Sequence, residues 1–337
     1  MDERDWEETP MRRPAIEPVV WKAPRAGRRP APSLPGLTVW HVNGSGAEDV
    51  LVDDKGNVYT GVDDGRVLRL TSDGRRLDTI ADTGGRPLGI EHLPDGRLLV
   101  CDARRGLLAV DRTTGAVEVL HPAGEDLHVC NNAAVAADGT VYFTDSTRRF
   151  ELAHWKADLL EHTGTGSFLR RTPDGAVETL RTGLQFPNGV ALAPDESFVV
   201  FAEMWEYRLL RLWLSGPRAG ESDVFADNLP GFPDNISTGS DGNIWIAFAS
   251  PRDPLVDFLL RTPPVLRKAL WRVPPRLQPK EKRTAWVRAL DPATGGVVHD
   301  FYGTPADYHM VTGVREHGGR VYLGSLEERA VAFFDVP

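Results

Sequence analysis

Cysteine is scarce in this chain, and long apolar runs are absent. The only cysteines among its 337 residues are Cys101 and Cys130, with no CxxC pair, which excludes a disulfide-based scaffold. No apolar run is long enough to span a bilayer. The charged N-terminal stretch MDERDWEETPMRRP also has no apolar signal-peptide core. We therefore expect a cytoplasmic protein without a transmembrane segment.

An excess of basic residues is lacking as well. The chain has 39 Lys and Arg against 48 Asp and Glu, which gives a net charge of −9. This balance argues against a nucleic-acid partner, which would need a basic face, and favours a small molecule or a cation. The 33 glycines and 26 prolines are spread along the chain, which predicts many short elements separated by turns.

One short pattern recurs along the sequence. A first residue is followed by apolar residues, then by a turn, and then by an apolar strand, as in 131–135, Gly139 and 141–144. The turn residue comes eight positions after the first residue in five copies and seven positions after it in the last. The six copies begin at Glu48, Leu88, Asn131, Asn188, Asp234 and Thr312.

Six repeats of about four strands each predict an all-β fold, a six-bladed β-propeller. The propeller is expected to form a single domain over residues 36–337, after a polar N-terminal arm over residues 1–35. The last repeat is short at its C-terminus. A strand near Leu37 is therefore expected to complete the sixth blade and close the ring.

Two insertions interrupt the repeats, in blades 3 and 5. Residues 149–162 have helical spacing, and residues 251–285 contain apolar residues and prolines that fit short helices. The insertions would either shape a binding site at one end of the ring or pack against blade edges. A membrane-surface role for the second insertion is less favoured, because its sequence lacks a clear basic amphipathic face.

The residues that head the repeats are expected to meet at one mouth of the central channel, each on the loop that enters the innermost strand of its blade. Four of them carry carboxylate or amide oxygens: Glu48, Asn131, Asn188 and Asp234. Ca²⁺ prefers such oxygens, whereas the absence of His and Cys disfavours Zn²⁺. Asn235, next to Asp234, is a further candidate ligand. The alternative is that these residues only make local hydrogen bonds in turns.

Several stretches resemble a known family: GRPLGI at 85–90, DGTVYFTDST at 138–147, GLQFPNGVALAPDESFVVFAE at 183–203, RLWLSGPRAG at 211–220 and NLPGFPDNI at 228–236. They are similar to the strictosidine synthase-like branch of the calcium-dependent six-bladed propellers, which also include gluconolactonases, paraoxonases and diisopropyl fluorophosphatases. The resemblance covers nearly the whole chain from residue 36. It implies Ca²⁺ as cofactor, with Mg²⁺, Mn²⁺ or Zn²⁺ as substitutes to test. The implied ligands are Glu48, Asn131, Asn188 and Asp234, with Asn235 added by the paraoxonase pattern.

Two positions depart from the family pattern. Thr312 stands where strictosidine synthases proper have a catalytic glutamate, so condensation of an amine with an aldehyde is not expected. Leu88 stands where paraoxonases have a histidine, so that base is absent. Other histidines are natural candidate bases because they titrate near neutrality. Three are nevertheless interpreted as structural or surface residues: His92, His128 and His309.

These observations predict a metal-dependent hydrolase that acts on a lactone or small ester. Asp234 is the candidate base or nucleophile, and Glu48 is expected to hold the metal and supply charge. The candidate substrate-binding residues are Leu88, Phe186, Trp205 and Thr312, with Tyr207 as a further aromatic candidate. The aromatic residues would otherwise serve blade packing. The alternative function is a non-catalytic propeller whose metal joins the blades and whose loops bind a protein or small ligand.

Overall fold

The chain folds into six antiparallel sheets whose innermost strands contact one another in a ring. The computed structural model describes residues 13–26, 30–274, 278 and 281–337. Within this described part each sheet has four strands. The fold is therefore a six-bladed β-propeller, and the prediction from the repeats is confirmed.

The strands follow one another as simple meanders. The first twelve are β1 (Thr38–His41), β2 (Leu51–Val52), β3 (Val58–Gly61), β4 (Arg66–Leu70), β5 (Leu77–Asp82), β6 (Pro87–His92), β7 (Leu98–Asp102), β8 (Gly106–Val110), β9 (Val117–Pro122), β10 (Cys130–Val135), β11 (Val141–Asp145) and β12 (Gly166–Arg171). The others are β13 (Val177–Leu184), β14 (Pro187–Leu192), β15 (Phe198–Glu203), β16 (Arg208–Trp213), β17 (Ser222–Ala226), β18 (Gly231–Thr238), β19 (Ile244–Pro251), β20 (Ala285–Leu290), β21 (Val297–Gly303), β22 (Val311–His317), β23 (Arg320–Ser325) and β24 (Ala330–Asp335). Blades 1 to 5 each take four consecutive strands, starting from β2.

The sixth blade is built from both ends of the propeller. It contains β22, β23 and β24, and β1 pairs antiparallel with β24. In this pairing Thr38 lies opposite Phe333 and His41 lies opposite Ala330. The prediction that an early strand completes the last blade is confirmed. Because the first and last strands share one sheet, backbone hydrogen bonds close the ring.

A residue in the left-handed backbone region forms the inner hairpin turn of most blades. In blade 4 this turn residue is Glu196 instead of a glycine, and its φ is 54°. Its carboxylate accepts a hydrogen bond from the backbone N–H of Ala137 in blade 3 at 2.8 Å. Four glycines occupy the same place with φ of 75°, 88°, 89° and 80°: Gly56, Gly96, Gly139 and Gly242. The eight-residue spacing of the repeat therefore marks this turn.

The apolar core lies between neighbouring blades. Every residue of β14 is buried, and the rings of Phe168 and Phe201 stack between blades 3 and 4 with centroids 4.2 Å apart. The free thiols of Cys101 and Cys130 are buried in another such cluster. Close packing of this kind keeps the inner strands rigid, so it holds the residues at the channel mouth in place.

Both insertions contain the predicted helices. Helix α1 (Trp155–Glu161) lies between β11 and β12, after a 3₁₀ turn at Leu152–His154. Helices α2 (Pro254–Leu260) and α3 (Pro264–Arg272) lie between β19 and β20. Two other 3₁₀ turns are formed by Met204–Glu206 and Gly216–Arg218. Among the described residues no helix has both the length and the apolar character needed to cross a membrane.

A buried arginine joins the helices to the N-terminal segment. The guanidinium of Arg267, in α3, donates to the carbonyl of Leu160 in α1 at 2.9 Å and to that of Val19 at 2.8 Å. Val19 in turn donates its backbone N–H to the carbonyl of Glu161 at 2.8 Å. The two insertions and the described part of the N-terminal arm therefore form one layer.

Candidate metal and substrate site

One cavity of about 150 Å³ lies where the beginnings of the innermost strands meet. The residues that head the six repeats all line it: Glu48, Leu88, Asn131, Asn188, Asp234 and Thr312. Asn235 is adjacent and donates its amide N–H to Glu48 Oε1 at 3.1 Å. The structure thus brings together the residues that the repeat register placed at equivalent positions.

Five of these six residues do not lie on the loops where we expected them. Only Glu48 precedes its strand, and the other five lie within the innermost strand of their blade. Each of the five falls in a shift of the strand register, as between Cys130 and Ala133 or between Pro187 and Val190. Such β-bulges leave residues unpaired and re-aim their side chains, which explains how strand residues face the cavity.

We call the residues that head the six repeats the floor of the cavity. Four buried oxygens of floor residues and of the adjacent Asn235 have no hydrogen-bond partner among the described residues: Glu48 Oε2, Asn131 Oδ1, Asn188 Oδ1 and Asn235 Oδ1. Buried polar atoms are normally paired, so these unpaired acceptors are the atoms at this site that could coordinate a cation. Carboxylate and amide oxygens fit a hard cation such as Ca²⁺. The described residues contain no group of three or more His, Cys, Asp or Glu side chains placed to hold a metal. Amide oxygens would therefore have to supply part of any ligand set.

Burial raises the pKa of both carboxyl groups at the floor. The pKa of Asp234 is raised to about 8, and a hydrogen bond from the Asn188 side chain opposes part of this rise. Burial also raises the pKa of Glu48 well above its usual value, with further contributions from the negative charges of Asp49 and Asp234. A bound cation would favour the ionised forms of both groups.

Polar residues one position after the floor residues hold neighbouring blades together. Asp49 accepts a hydrogen bond from the backbone N–H of Ile90 in blade 2 at 3.1 Å. Asn132 accepts one from the backbone N–H of Val190 in blade 4 at 2.9 Å. Both acceptors therefore satisfy N–H groups beside the bulges of the next blade, and they fix the spacing of the floor.

Thr312 and Leu88, at the two positions that depart from the family pattern, also serve packing. The hydroxyl of Thr312 donates to the backbone carbonyl of Glu48 at 2.8 Å and thereby joins blade 6 to blade 1. Leu88 is buried against Ala103 and Val129. Leu88 has no titratable group, and the Thr312 hydroxyl proton is already engaged, so neither residue is placed as a base.

One wall of the cavity is apolar and aromatic. Phe186 and Trp205 lie there with ring centroids 4.8 Å apart. The sequence did not single out the other members of this wall, which are Leu152, Trp155, Leu159, Met204, Phe232 and Val256. Several belong to the two insertions, whose apolar residues were the available signal. Both insertions therefore contribute to the cavity, as the first of the two interpretations expected.

Tyr207 lies outside the cavity, so of its two interpretations the structure supports packing. Its buried hydroxyl donates to Asp257 of α2 at 2.9 Å, so it packs against the helical layer. None of the nine histidines, all of which lie in the described part of the chain, lines the cavity. His309, for example, is held between the carboxylates of Glu327 and Glu328. This agrees with the structural interpretation of these histidines.

Charged residues of the two insertions meet at the cavity. Lys156 of α1 forms an ion pair with Glu281 at 2.7 Å, and Lys282 lies 3.7 Å from Asp253. All four residues line the cavity. Such partly exposed pairs contribute little to stability. They nevertheless bring α1 and the second insertion together beside the apolar wall.

Asp158→Asn is expected to change how stability depends on pH. Burial raises the pKa of the Asp158 carboxyl, which accepts a hydrogen bond from Trp205 Nε1 at 2.9 Å, to about 6. The folded state therefore binds more protons than the unfolded state above pH 4, and the free energy of unfolding falls as the pH rises to 6. Relative to the variant, the wild type should lose roughly 2 kcal/mol between pH 4.5 and pH 7. Urea unfolding at several pH values measures this difference.

The control for this prediction is Asp126→Asn, which makes the same chemical change at a side chain that is 91% exposed. Its unfolding free energy should follow that of the wild type at every pH. A difference between the wild type and Asp158→Asn that stays constant from pH 4.5 to pH 7 would contradict the prediction.

Comparisons with known proteins establish the family. Residues 33–70 match the N-terminal part of strictosidine synthase-like proteins, and residues 125–217 match strictosidine synthase. The chain is also 34% identical over 296 residues to the adipocyte plasma membrane-associated protein of Bos taurus, covering 80% of this chain and 71% of that protein. The chain belongs to the strictosidine synthase-like family. Another member, protein strictosidine synthase-like 13 of Arabidopsis thaliana, is 34% identical over 260 residues, covering 68% of this chain and 64% of that protein.

Solved structures outside the strictosidine synthase-like family share the fold. A gluconolactonase from Xanthomonas campestris superposes with a TM-score of 0.65 at 19% identity, over 96% of this chain and 97% of that chain. The calcium-binding protein regucalcin from Agrobacterium tumefaciens superposes with a TM-score of 0.62 at 16% identity, over 88% and 91% of the two chains. At these identities the likeness establishes the fold alone.

Proposed function

We propose that the chain is a metal-dependent hydrolase that acts on a lactone or small ester at the channel mouth. The observation that carries the proposal is the combination within one cavity of buried, unpartnered oxygens and an apolar, aromatic wall. The first feature suits a cation and the second suits the carbon skeleton of a substrate. The likeness in fold to a gluconolactonase and to a calcium-binding protein supports the same choice.

The proposed cofactor is Ca²⁺, held by oxygens of Glu48, Asn131, Asn188 and Asp234, with Asn235 as a further ligand. When bound, the ion would polarise the substrate carbonyl and stabilise the negative charge that develops on its oxygen. Asp234 is the proposed base that takes a proton from the water that attacks the carbonyl carbon, or the nucleophile that attacks this carbon itself and is released by water in a second step. In both cases the bond from the carbonyl carbon to the ester oxygen breaks, and this oxygen leaves as the alcohol. Glu48 keeps its position through the hydrogen bond from Asn235 and supplies negative charge to the site.

The proposed substrate is small and partly apolar. Phe186, Trp205 and Leu88 would bind its carbon skeleton and exclude water from the floor, and Thr312 also lines the cavity. A cavity of about 150 Å³ is comparable to an engineered apolar cavity that holds one benzene ring. A lactone ring or a short ester therefore fits better than a polymer.

Removal and return of metal ions test this function. The protein is stripped with a chelator and assayed on aryl esters and a series of lactones, before and after addition of Ca²⁺, Mg²⁺, Mn²⁺ or Zn²⁺. We expect turnover to disappear on stripping and to return with Ca²⁺, because the proposed ligands are all oxygens. The melting temperature of each sample is measured alongside.

Two outcomes would contradict the proposal. Thermal stabilisation by Ca²⁺ without turnover of any substrate would support the non-catalytic alternative, in which the ion only joins the blades. Turnover that persists unchanged in the stripped protein would remove the metal from the mechanism.

A further inference from the structure

Exposed apolar side chains are concentrated on the layer that covers the cavity. The described chain exposes ten large hydrophobic side chains. Six of them belong to α2, α3 and the N-terminal segment: Val19, Val20, Leu255, Phe258, Val265 and Leu266. Exposed apolar groups are unremarkable when scattered singly, whereas a cluster marks an interaction site. We call these six residues the apolar surface.

Hydrogen bonds place the three elements that carry the apolar surface side by side. The segment of Val19 and Val20 runs beside α2, because the backbone N–H of Trp21 donates to the carbonyl of Leu260 at 3.0 Å. It also lies beside α3 through the Arg267 hydrogen bond to the carbonyl of Val19. The six exposed side chains therefore belong to three adjacent elements of one layer.

The helices are apolar on two sides. Towards the propeller, Val256 of α2 lines the cavity, and Leu260 and Trp271 are buried. Away from it, Phe258 of α2 is 54% exposed and Val265 of α3 is 66% exposed. The contacts of the inner face account for the packing of these helices against the propeller. The outer face has no partner among the described residues.

The charge around the apolar surface is opposite in sign to that of the whole chain. Residues 251–274 carry five Arg or Lys and two Asp, whereas the chain has a net charge of −9. Asp257 is buried and paired with Arg252 at 2.9 Å, and Arg252 and Arg267 are buried as well. Lys268 is paired with the exposed Glu17 of the N-terminal segment at 2.5 Å. Beside the helices, Lys22, Arg25 and Arg261 are exposed. An apolar area flanked by basic groups complements a surface with an apolar interior and negatively charged headgroups.

We propose that the apolar surface binds the protein to an anionic lipid membrane. Its apolar side chains enter the region below the headgroups, and the flanking Lys and Arg contact the lipid phosphates and carboxylates. A second copy of the chain is the less suitable occupant. A two-fold dimer through this face would place the same basic residues of both copies against each other, and like charges repel.

This docking gives the cavity a defined orientation. Leu255 and Val256 are consecutive in α2, and the first is exposed whereas the second lines the cavity. The cavity therefore lies directly behind the membrane-bound face. Substrates dissolved in the lipid would have a short path to the apolar wall, whether or not the site hydrolyses them.

Vesicle co-sedimentation tests the proposal. The full chain is mixed with vesicles of phosphatidylcholine alone or of phosphatidylcholine with phosphatidylserine, whose negative surface potential attracts basic segments. We expect binding only to the anionic vesicles, weakened by added salt. The variant Phe258→Ser/Val265→Ser/Leu266→Ser should bind about tenfold less tightly or worse, because it removes the inserted apolar area. Arg261→Gln should weaken binding about fivefold.

The matched control is Val297→Ser/Val298→Ser, which removes side chains of similar exposure, 56% and 45%, from the outer strand β21. It should bind vesicles like the wild type. The proposal is overturned if the wild type stays in solution with both vesicle types, or if the control loses as much binding as the triple variant. A lipid-free dimer in analytical ultracentrifugation that the triple variant dissociates would instead assign this face to a second copy.

Discussion

Asp234→Asn is expected to abolish lactone and ester turnover and, at the same time, to stabilise the metal-free protein. The substitution keeps the size of the side chain but removes a carboxylate that burial already penalises, as its pKa of about 8 shows. Without metal, the wild type should lose stability as the pH rises from 4 to 8, because its folded state holds a proton that its unfolded state releases. The variant lacks this slope, so its chelated form should melt at a higher temperature at pH 8.

The same change should have the opposite effect once metal is present. Fewer negative charges among the ligands lower the affinity for Ca²⁺, so added Ca²⁺ should raise the melting temperature of the wild type but hardly that of the variant. We expect kcat/KM to fall by roughly three orders of magnitude, because both the proposed base and the metal affinity are affected. Calorimetric titration with Ca²⁺, thermal melts with and without chelator, and ester turnover provide the three measurements.

Asp126→Asn serves as the control, since it alters charge equally at an exposed side chain. It should resemble the wild type in all three measurements. If the chelated Asp234→Asn protein is less stable than the chelated wild type, the carboxylate stabilises the fold without a cation. The interpretation of the floor as a metal site would then fail, even if turnover were also lost.

The fold could be predicted from the sequence because its repeat is strict. The spacing from Asn131 to Gly139 recurs around the ring, and the left-handed turn residue at the second position enforces it. The position of Asn131 inside its strand could not be predicted, because a bulge disturbs the two-residue alternation on which such predictions depend. The sequence therefore predicts which residues meet, but for all of them except Glu48 the predicted position on a loop is wrong.

The apolar wall of the cavity could be predicted from the sequence only in part. Trp155 and Val256 belong to insertions whose helices were predicted, yet their place beside Phe186 depends on contacts between segments far apart in sequence. The bonds from Arg267 to Leu160 and Val19 are such contacts. Helical periodicity indicates which side of a helix is apolar but not what covers it. For the same reason the apolar surface could not be predicted, because three separate segments of the chain form it.

A further regularity can be read from the sequence, but only the structure shows its physical reason. The residue after each floor residue alternates around the ring between a polar side chain and glycine. In blade order these residues are Asp49, Gly89, Asn132, Gly189, Asn235 and Gly313. A Cβ atom on each of the three glycines would lie within 3 Å of the polar residue that comes next in this order, in the following blade. The glycines thus leave room for their polar neighbours.

Gly189→Ala is therefore expected to destabilise the propeller strongly. The added Cβ would lie 2.1 Å from the backbone nitrogen of Ile236 and 2.6 Å from the carbonyl carbon of Asn235. Both atoms belong to the main chain of β18, so no side-chain rotation relieves the overlap, and β14 and β18 must separate. Overpacking of this kind costs about 3 kcal/mol or more, which for a domain of this size corresponds to a fall in melting temperature of roughly 4 °C or more. Thermal unfolding followed by circular dichroism measures it.

Gly124→Ala is the matched control, because a Cβ at Gly124 meets no atom within 4 Å and the residue has no positive φ. Its melting temperature should stay within about 1 °C of the wild type, as expected for a surface change. Gly189→Ala should also weaken Ca²⁺ binding, since separation of β14 from β18 moves Asn188 relative to Asp234. A Gly189→Ala protein that melts with the control would mean that the innermost strands are not packed as closely as the alternation requires. The floor would then be too loose to hold its oxygens in one geometry.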